Sequence, residues 1–484
     1  MMNGAIDLGS KTFAMEDQRL MADWSGDHNP MHVNALAARR LLTGQPVVHG
    51  VHLVMEALAR WQPHARGPAV RALRADFSKP VSVGDPVDFQ AQQRGDKLVL
   101  TASVGGLAHM SVELHVGALD QPGTPLPEGE VIAWPGVAQD QPVDAWLGRC
   151  VRLPDVAGRL AAADSAALLI GLAGATLLGQ ASTMVGMGCP GMHSVFASLS
   201  LVRHDAPGPA RCRPDRHDPR FGLVRIAVDG PWRGEIRAFV RAAPRPQAGM
   251  AEVMTHVPRH PTGEHHTWVL AGSRGLGELA AKIAAAAGSR VTLSYAQGQA
   301  DALRVTQEIA AAGCWPAQAV CYQTGETDLA ALCEAHGLPD TVLFFATPRI
   351  AQRRSSTFNQ TLLHRFIDAY CSEPARIALA LEVAAAGRGD KPRIQLFNPS
   401  STYVDDLPNG MVEYAMAKAA SETLAQDMNK RLQHVRIVTH RLPRLPTDQT
   451  NGLISESGPS ALGVLAPVVL ATLGARFVGS QPPD

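Results

Sequence analysis

The sequence predicts two α+β units, each a sheet wrapped on one helix, followed by an α/β unit with a parallel sheet between two layers of helices. Three observations carry this reading. Residues 49–116 and 156–243 share one order, a long apolar helix and then strand-like runs. From residue 266 onward strand-like and helix-like segments alternate. Pro-rich stretches at 121–130 (QPGTPLPEGE) and 242–266 part the chain into three pieces of globular size, and both read as linkers or long loops. At 484 residues the chain exceeds what a single core supports, so two to four domains are expected.

The first piece opens with polar, loop-like sequence to about residue 48. An apolar-periodic helix follows from His49 to Trp61, then strands in VRALRADFSKPV, DPVDFQAQQ, KLVLTASV and HMSVELHV. The middle piece repeats the order with a helix from Val156 to Met184 and strands in HSVFASLSLV, FGLVRIAVDG and GEIRAFVRAA. The third runs TWVLAGS, GLGELAAKIAAAAG, RVTLSYA, a helix from Ala300 to Ala312, AQAVCYQ, TVLFFAT and RIQLFNPSS.

With 44 basic and 44 acidic side chains and no basic run, the electrostatic footprint of a nucleic-acid binder is missing. Charged residues at 18% and apolar ones at 46% exclude a disordered or highly charged scaffold. Seven cysteines without a C-x-x-C pair point to a reducing cytoplasm and no disulfide framework. The opening MMNGAIDLGSKTF shows no signal peptide. Residues 165–192 carry no Asp, Glu, Lys, Arg or His, yet the strongly apolar part, Ala166 to Gly179, has the length of a buried helix, so no membrane partner is expected.

Residues 24–34 read WSGDHNPMHVN, and Val48-His49-Gly50 precede the first helix. Asp27 and His32 stand five positions apart across a turn, a spacing that can aim a carboxylate and an imidazole at one volume, where they hold a water and move a proton beside a carbonyl. Asn29 can hydrogen-bond across the turn and Pro30 stiffens it. Gly50 at a helix start leaves an N–H facing outward, suited to polarising a thioester oxygen as an enolate develops. Any one of these residues alone reads as a turn former.

The joint pattern S-G-D-x-N-P-x-H followed by H-G before an apolar helix resembles the MaoC-like, or R-specific enoyl-CoA hydratase, family with its hot-dog fold. The resemblance covers roughly residues 13 to 118. It implies that Asp27 and His32 add or remove water across the double bond of a 2-enoyl thioester, with Asn29 supporting and Gly50 as oxyanion donor. The middle piece carries no such motif and inherits no catalysis; its implied role is the second half of a double hot-dog that covers the sheet edge and acyl tunnel. Cys189 and His193 in CPGMHS read as a turn into a strand. His204, Cys212 and His217 match no zinc spacing, so no metal is expected.

In the third piece Gly272, Gly275 and Gly277 lie between a strand and a helix, the context of a dinucleotide-binding turn. Downstream, a strand ends in Ser400-Ser401, and Tyr414 and Lys418 sit at i and i+4 of a helical stretch, where the ammonium can lower the phenol pKa and hold a ribose. Together these resemble the short-chain dehydrogenase/reductase family over about 266 to 450. The resemblance implies a Rossmann-like doubly wound fold, a nucleotide loop of Gly272, Ser273, Arg274, Gly275, Leu276 and Gly277, and Ser401, Tyr414 and Lys418 as catalytic residues. Departures are Ala271 at the first loop glycine, a mild change; FFAT where N-N-A-G is usual; no Asp in VCYQ; Tyr370 at the place of the family's helical asparagine; and Arg444 where P-G is common. LSYA ends the second strand without Asp or Glu, and Arg274 can face a 2′-phosphate with help from Ser273 and Ser294, so the cofactor leans to NADPH over NADH.

The expected organisation is therefore 1–122 hydratase/dehydratase hot-dog, 123–262 second hot-dog and linker, and 263–484 reductase. The joint expectation is reduction of 3-oxoacyl thioesters and dehydration of the 3-hydroxy product to the 2-enoyl thioester, in fatty-acid-like or polyketide-like assembly. The substrate would ride on coenzyme A or an acyl carrier protein, in a cytoplasmic homo-oligomer, a dimer. The alternatives are the reverse, NAD-dependent degradative direction, and a dehydratase whose reductase-like part is a degenerate docking module.

Overall fold

The computed structural model describes residues 5–41, 43–65, 70–95, 97–116, 125–156, 164–204, 206–258, 265–350, 358–388, 392–450 and 459–474. Parts of both expected linkers (121–124 and 259–264), the expected boundaries at 122/123 and 262/263, and residues 157–163 of the expected long helix lie outside them. The chain divides into two compact units, Met1–Ala243 with Asn451–Glu456, and Pro244–Thr450 with Ser457–Asp484.

The first unit runs β1 (Ile6–Thr12), α1 (Met15–Ser25), α2 (Pro30–Val33), α3 (Ala35–Ala38), α4 (Gly50–Trp61), β2 (Ala72–Phe77), β3 (Pro86–Arg94), β4 (Lys97–Val104) and β5 (Leu107–His115). It continues with β6 (Val151–Arg152), α5 (Asp164–Thr183), β7 (Ser194–Arg203), β8 (Arg211–Asp218), β9 (Leu223–Asp229) and β10 (Trp232–Val240). All ten strands form one sheet in the order β1-β3-β4-β5-β2-β7-β10-β9-β8-β6. Its two halves hold five strands each and meet where β2 pairs antiparallel with β7, from Ala72 opposite Val202 to Asp76 opposite Ser198. The apolar positions of α4 (Val51, Val54, Leu58) and of α5 (Leu177, Leu178, Ala181) enter one core with Phe89, Val112, Leu199 and Ile236 of the sheet. The helix Leu169–Gly188 is long and apolar enough to cross a membrane, and 78% of its most apolar window is buried inside this unit.

Two expectations need correction here. The opening to residue 48 is not loop: β1 and α1 occupy it, and β1, at the sheet edge against β3, turns mostly exposed residues outward, so it lacks the apolar alternation that marks a half-buried strand. The Arg- and Pro-rich stretch RCRPDRHD, which the sequence reads as a loop, also forms a strand, β8, buried at Cys212 and Pro214. Pro214 is tolerated beside a bulge between Pro214 and Arg216, on a strand whose other neighbour is only the two-residue β6.

The second unit runs α6 (Met250–His256), β11 (His266–Leu270), α7 (Gly275–Ala286), β12 (Arg290–Tyr295), α8 (Gln299–Ala311), β13 (Gln318–Cys321), α9 (Leu329–His336), β14 (Thr341–Phe344), α10 (Gln360–Ile367) and α11 (Glu373–Ala386). There follow β15 (Ile394–Phe397), β16 (Ser400–Ser401), α12 (Tyr403–Asp406), α13 (Val412–Met428), β17 (Val435–Val438), β18 (Arg441–Leu442) and α14 (Ala461–Gly474). Six strands form a parallel sheet in the order β13-β12-β11-β14-β15-β17, the doubly wound arrangement. Successive residues go to opposite faces: Val269 and Leu343 join α7, α8 and α14 in one core, while Trp268, Leu270, Val342 and Phe344 join α9 and α11 in the other. Residues 250–256 are helix rather than linker, because Met250, Val253 and Val257 recur at helical spacing and bury against α7. The Met250 N–H donates to Glu308 (2.8 Å), and the buried Lys282 donates to the Ala248 carbonyl (3.1 Å) while pairing with Glu278 and Glu308 (2.9 Å each).

Candidate active sites

Each turn former in GDHNPMH does local work. Gly26 ends α1 in the left-handed region (φ 85). Asp27 Oδ1 accepts the Asn29 N–H (3.2 Å), Asn29 Oδ1 caps α2 by accepting the Met31 N–H (3.1 Å), and Pro30 is the first residue of α2. This tight path brings Asp27 and His32 together with His49, their ligand atoms all within 4.8 Å of one another and the side chains buried.

His32 Nδ1 lies 2.7 Å from the Val47 carbonyl. A carbonyl only accepts, so Nδ1 carries the hydrogen and Nε2 is left as the base. Burial pushes the Asp27 carboxyl above the usual carboxylate range, partly offset by the His32 charge and by hydrogen bonds from Ser182 and the Asn29 N–H. Burial pushes the His32 imidazole down, partly offset by Asp27 and the Val47 carbonyl. A carboxyl driven up beside an imidazole driven down is a pair that can share one proton.

His49 stacks on His32 with ring centroids 3.8 Å apart. Its Nδ1 and backbone N–H meet Gln18 Oε1 (2.9 and 3.0 Å) and its Nε2 meets the Asp27 carbonyl (3.0 Å). The Nδ1 atoms of His32 and His49 thus face the carbonyl oxygens of Val47 and Gln18, and His49 Nε2 faces that of Asp27. Gly50 is the first residue of α4, where N–H groups have no intrahelical acceptor, and a Cβ there would stand 3.0 Å from the Phe77 ring.

Sequence reasoning missed four contributors, Gln18, Ser182, Thr183 and Gly186. Gln18 holds His49, as described. Ser182 donates to Asp27 Oδ2 at 2.6 Å, and a side chain at Gly186 would overlap the Asp27 carboxylate. Asn29 Nδ2 donates to the Gly186 and Gly191 carbonyls (2.8 and 3.1 Å), and Thr183 Oγ1 donates to the Ser25 carbonyl. The one sequence signal was the polar run Gln180, Ser182, Thr183 closing an apolar helix. Outside this centre, His217 meets Asp144 (3.2 Å) and Cys212 is buried against Met184, so the irregular His204, Cys212, His217 set is not drawn together as metal ligands.

Residues 6–110 match the family model of the MaoC like domain. The turn with Asp27 and His32 and the start of α4 with Gly50 all fall inside the MaoC like domain, whereas Ser182 and Gly186 fall beyond it. No curated protein matches the chain. Among solved structures, a short chain dehydrogenase from Burkholderia cenocepacia J2315 in complex with NADP is 23% identical, covering 44% of this chain and 91% of its own, with a TM-score of 0.36. A short-chain dehydrogenase/reductase from Serratia marcescens BCRC 10948 is 21% identical over 44% and 92%, TM-score 0.36. A 3-oxoacyl (acyl-carrier-protein) reductase from Agrobacterium tumefaciens C58 with NADP bound is 22% identical over 38% and 72%, TM-score 0.33.

In the second unit β11 turns into α7 through the glycine loop. A Cβ at Gly272 would stand 2.8 Å from Leu293 Cβ, and one at Gly277 would overlap the Ala271 carbonyl, so both glycines serve close packing of helix on sheet. Gly275 adopts φ 58 with open space where a Cβ would be. Arg274, extended, caps α7; Ser273 is buried, and Leu276 packs on the core. Open backbone at a helix N-terminus fits a diphosphate. Ser294 is buried and its Oγ accepts the Ala271 N–H (2.9 Å), so it shapes the loop from beneath. Ala271 takes φ 62, a left-handed conformation unfavourable for alanine, so the departure at this position is a strain rather than a mild change.

Ser401 on β16 hydrogen-bonds Tyr414 on α13, and burial pushes the Tyr414 phenol up to about 12. Lys418 lies one turn further, but its Nζ donates to the Pro399 carbonyl (2.6 Å) and sits 3.7 Å from the centroid of the Tyr370 ring, against 5.8 Å for Tyr414. Burial lowers this amine to about 7. The expected depression of the phenol by the ammonium is therefore not what this geometry gives. Tyr370 lies in the π-helical turn Asp368–Ser372, its hydroxyl 2.5 Å from Thr347 and its carbonyl held by Asn398 (3.1 Å).

Proposed function

We propose that the chain is a bifunctional enzyme of acyl-thioester metabolism, a 3-oxoacyl reductase joined to a 3-hydroxyacyl dehydratase, working in the synthetic direction. The observation that carries the reading is the buried Asp27–His32 pair, in which His32 Nδ1 is engaged by the Val47 carbonyl, leaving Nε2 as the basic nitrogen beside a carboxyl whose hold on a proton burial strengthens. In dehydration, His32 Nε2 takes the α-proton, the Gly50 N–H receives the developing thioester oxyanion, and Asp27 gives its proton to the departing hydroxyl, which leaves as water. The proton on His32 then returns to Asp27, and the pair is reset. The five-strand halves around α4 and α5 support a double hot-dog reading of residues 1–122 and 123–243.

For the reductase, Gly272, Ser273, Arg274, Gly275, Leu276 and Gly277 would hold the diphosphate of NADPH, which supplies hydride when bound. Arg274 beside an acid-free strand end favours NADPH over NADH. Tyr414, oriented by Ser401, donates a proton to the ketone oxygen, and Lys418 helps hold the ribose. Coenzyme A or an acyl carrier protein would present the substrate. Seven free cysteines support a cytoplasmic placement, and pairing of subunits is part of the same proposal.

The test offers a 3-oxoacyl thioester and NADPH to the full chain, to Tyr414→Phe and to Asp27→Asn. Tyr414→Phe should lose both cofactor oxidation and enoyl product, and Asp27→Asn should accumulate the hydroxyacyl thioester. Enoyl formation by Asp27→Asn at the unaltered rate would refute the dehydratase site, and a clear NAD preference would refute the synthetic direction. The strain at Ala271 and the engagement of Lys418 by Pro399 and Tyr370 favour one second reading, a reductase-like unit retained as a module. Absence of NADPH binding to the full chain at millimolar cofactor would decide for it.

A further inference from the structure

The dehydratase motif lies wholly in residues 25–50, yet the carboxylate at its centre is gripped by a side chain of α5, the helix that precedes β7 to β10. Ser182, the penultimate residue of α5 and buried at 3% exposure, donates its hydroxyl to Asp27 Oδ2 at 2.6 Å, across 155 residues of sequence. The approach is specific to this place. Gly186, in the π-helical turn Met184–Gly188 that follows α5, has no room for a Cβ beside the same carboxylate. Asn29, two residues after Asp27, fastens that turn through the Gly186 and Gly191 carbonyls. Asp27 Oδ1 is held by its own turn and Oδ2 by Ser182, so both oxygens have fixed directions and the carboxyl cannot rotate freely.

We propose that Ser182 is a positioning residue for the dehydratase reaction: it orients the Asp27 carboxyl and sets how that carboxyl shares its proton with His32. The half of the first unit that bears no motif thereby supplies part of the acid–base apparatus. This rests on the dehydratase reading above. Other groups facing the pair are His28 in the same turn, His49 at the start of α4, which bonds the Asp27 main chain, and Arg241, whose charge acts on His32 from the end of β10. None of these contacts Oδ2, so removing the Ser182 hydroxyl isolates one bond.

A hydrogen bond to a carboxylate favours the ionised form, so its loss raises the proton affinity of Asp27. The experiment measures hydration of crotonyl-coenzyme A against pH with the full chain, Asp27→Asn, Ser182→Ala and Ser182→Thr, together with thermal melts. Ser182→Ala should lower kcat about 10- to 100-fold with KM within about 3-fold, since the residue lies behind the carboxylate rather than on the substrate. At least one limb of its pH profile should move about one unit to higher pH, and Ser182→Thr, which keeps the hydroxyl, should recover most of the rate. An unchanged pH profile in Ser182→Ala overturns the inference, whether the rate is retained or lost. Recovery failing in a folded Ser182→Thr with the profile unmoved assigns the residue to structure alone. If the unsubstituted chain does not hydrate the thioester, or Asp27→Asn does so normally, it is the dehydratase reading that fails.

Discussion

Ala271→Gly should stabilise the second unit. Ala271 sits at φ 62, where an L side chain is unfavourable by about 1–2 kcal/mol relative to the right-handed region. Glycine removes that penalty and forfeits roughly 0.5–1 kcal/mol through the greater freedom of the unfolded chain. The Ala271 N–H bond to Ser294 is a backbone donor and survives the change. The net gain is about 0.5–1 kcal/mol, or roughly 1–4 °C in melting temperature for a unit of this size. Calorimetry of the full chain, scanned with and without NADPH, assigns the transition that moves. Ala271→Val is the complementary probe: a β-branched side chain at positive φ should lower the same transition by more than the glycine raises it. A lower melting point for Ala271→Gly, or a tolerated valine, would show that the turn does not hold the conformation described.

Gly186→Ala should lower hydration or dehydration by at least about 100-fold while costing about 1–3 kcal/mol of stability, because the new methyl must displace either the Asp27 carboxylate or the π-helical turn; steady-state kinetics and melts measure the two effects. Lys418→Met should abolish reduction yet raise stability by about 2 kcal/mol near pH 6. The amine titrates at about 7 when folded and near 10.5 otherwise, so the unfolded chain binds the extra proton between those values, and the stability of the lysine form rises with pH across that window. The advantage of methionine should shrink from pH 7 to 10 in denaturant titrations, and a constant difference would contradict the buried, neutralised amine.

The turn that carries Asp27 and His32 was legible because the candidate site and its local geometry use the same residues: Gly26, Asp27, Asn29 and Pro30 each satisfy a nearby backbone group and thereby leave a motif. The parallel sheet was legible because Trp268, Val269 and Leu270 all bury, giving the continuous apolar runs of a strand covered on both faces. Ser182 and Gly186 were not, because the polar run that closes an apolar helix does not name a partner 155 residues away, and a missing methyl leaves no mark at all. The tight seat of Lys418 was hidden for a related reason: the i, i+4 spacing puts Tyr414 and Lys418 on one helix face, but the Pro399 carbonyl and Tyr370 ring that draw the ammonium aside come from other segments.

The helix α6 changes where this chain can be divided. A cut at 262/263, between the pieces that the Pro-rich sequence marks off, would strip the reductase-like unit of Met250, Val253 and Val257 and uncover the face of α7 beneath them. It would also take the Ala248 carbonyl from Lys282 and the Met250 N–H from Glu308. A cut that keeps α6 with the second unit falls at 243/244, and a fragment begun at 263 would report on an injured unit rather than on an autonomous one.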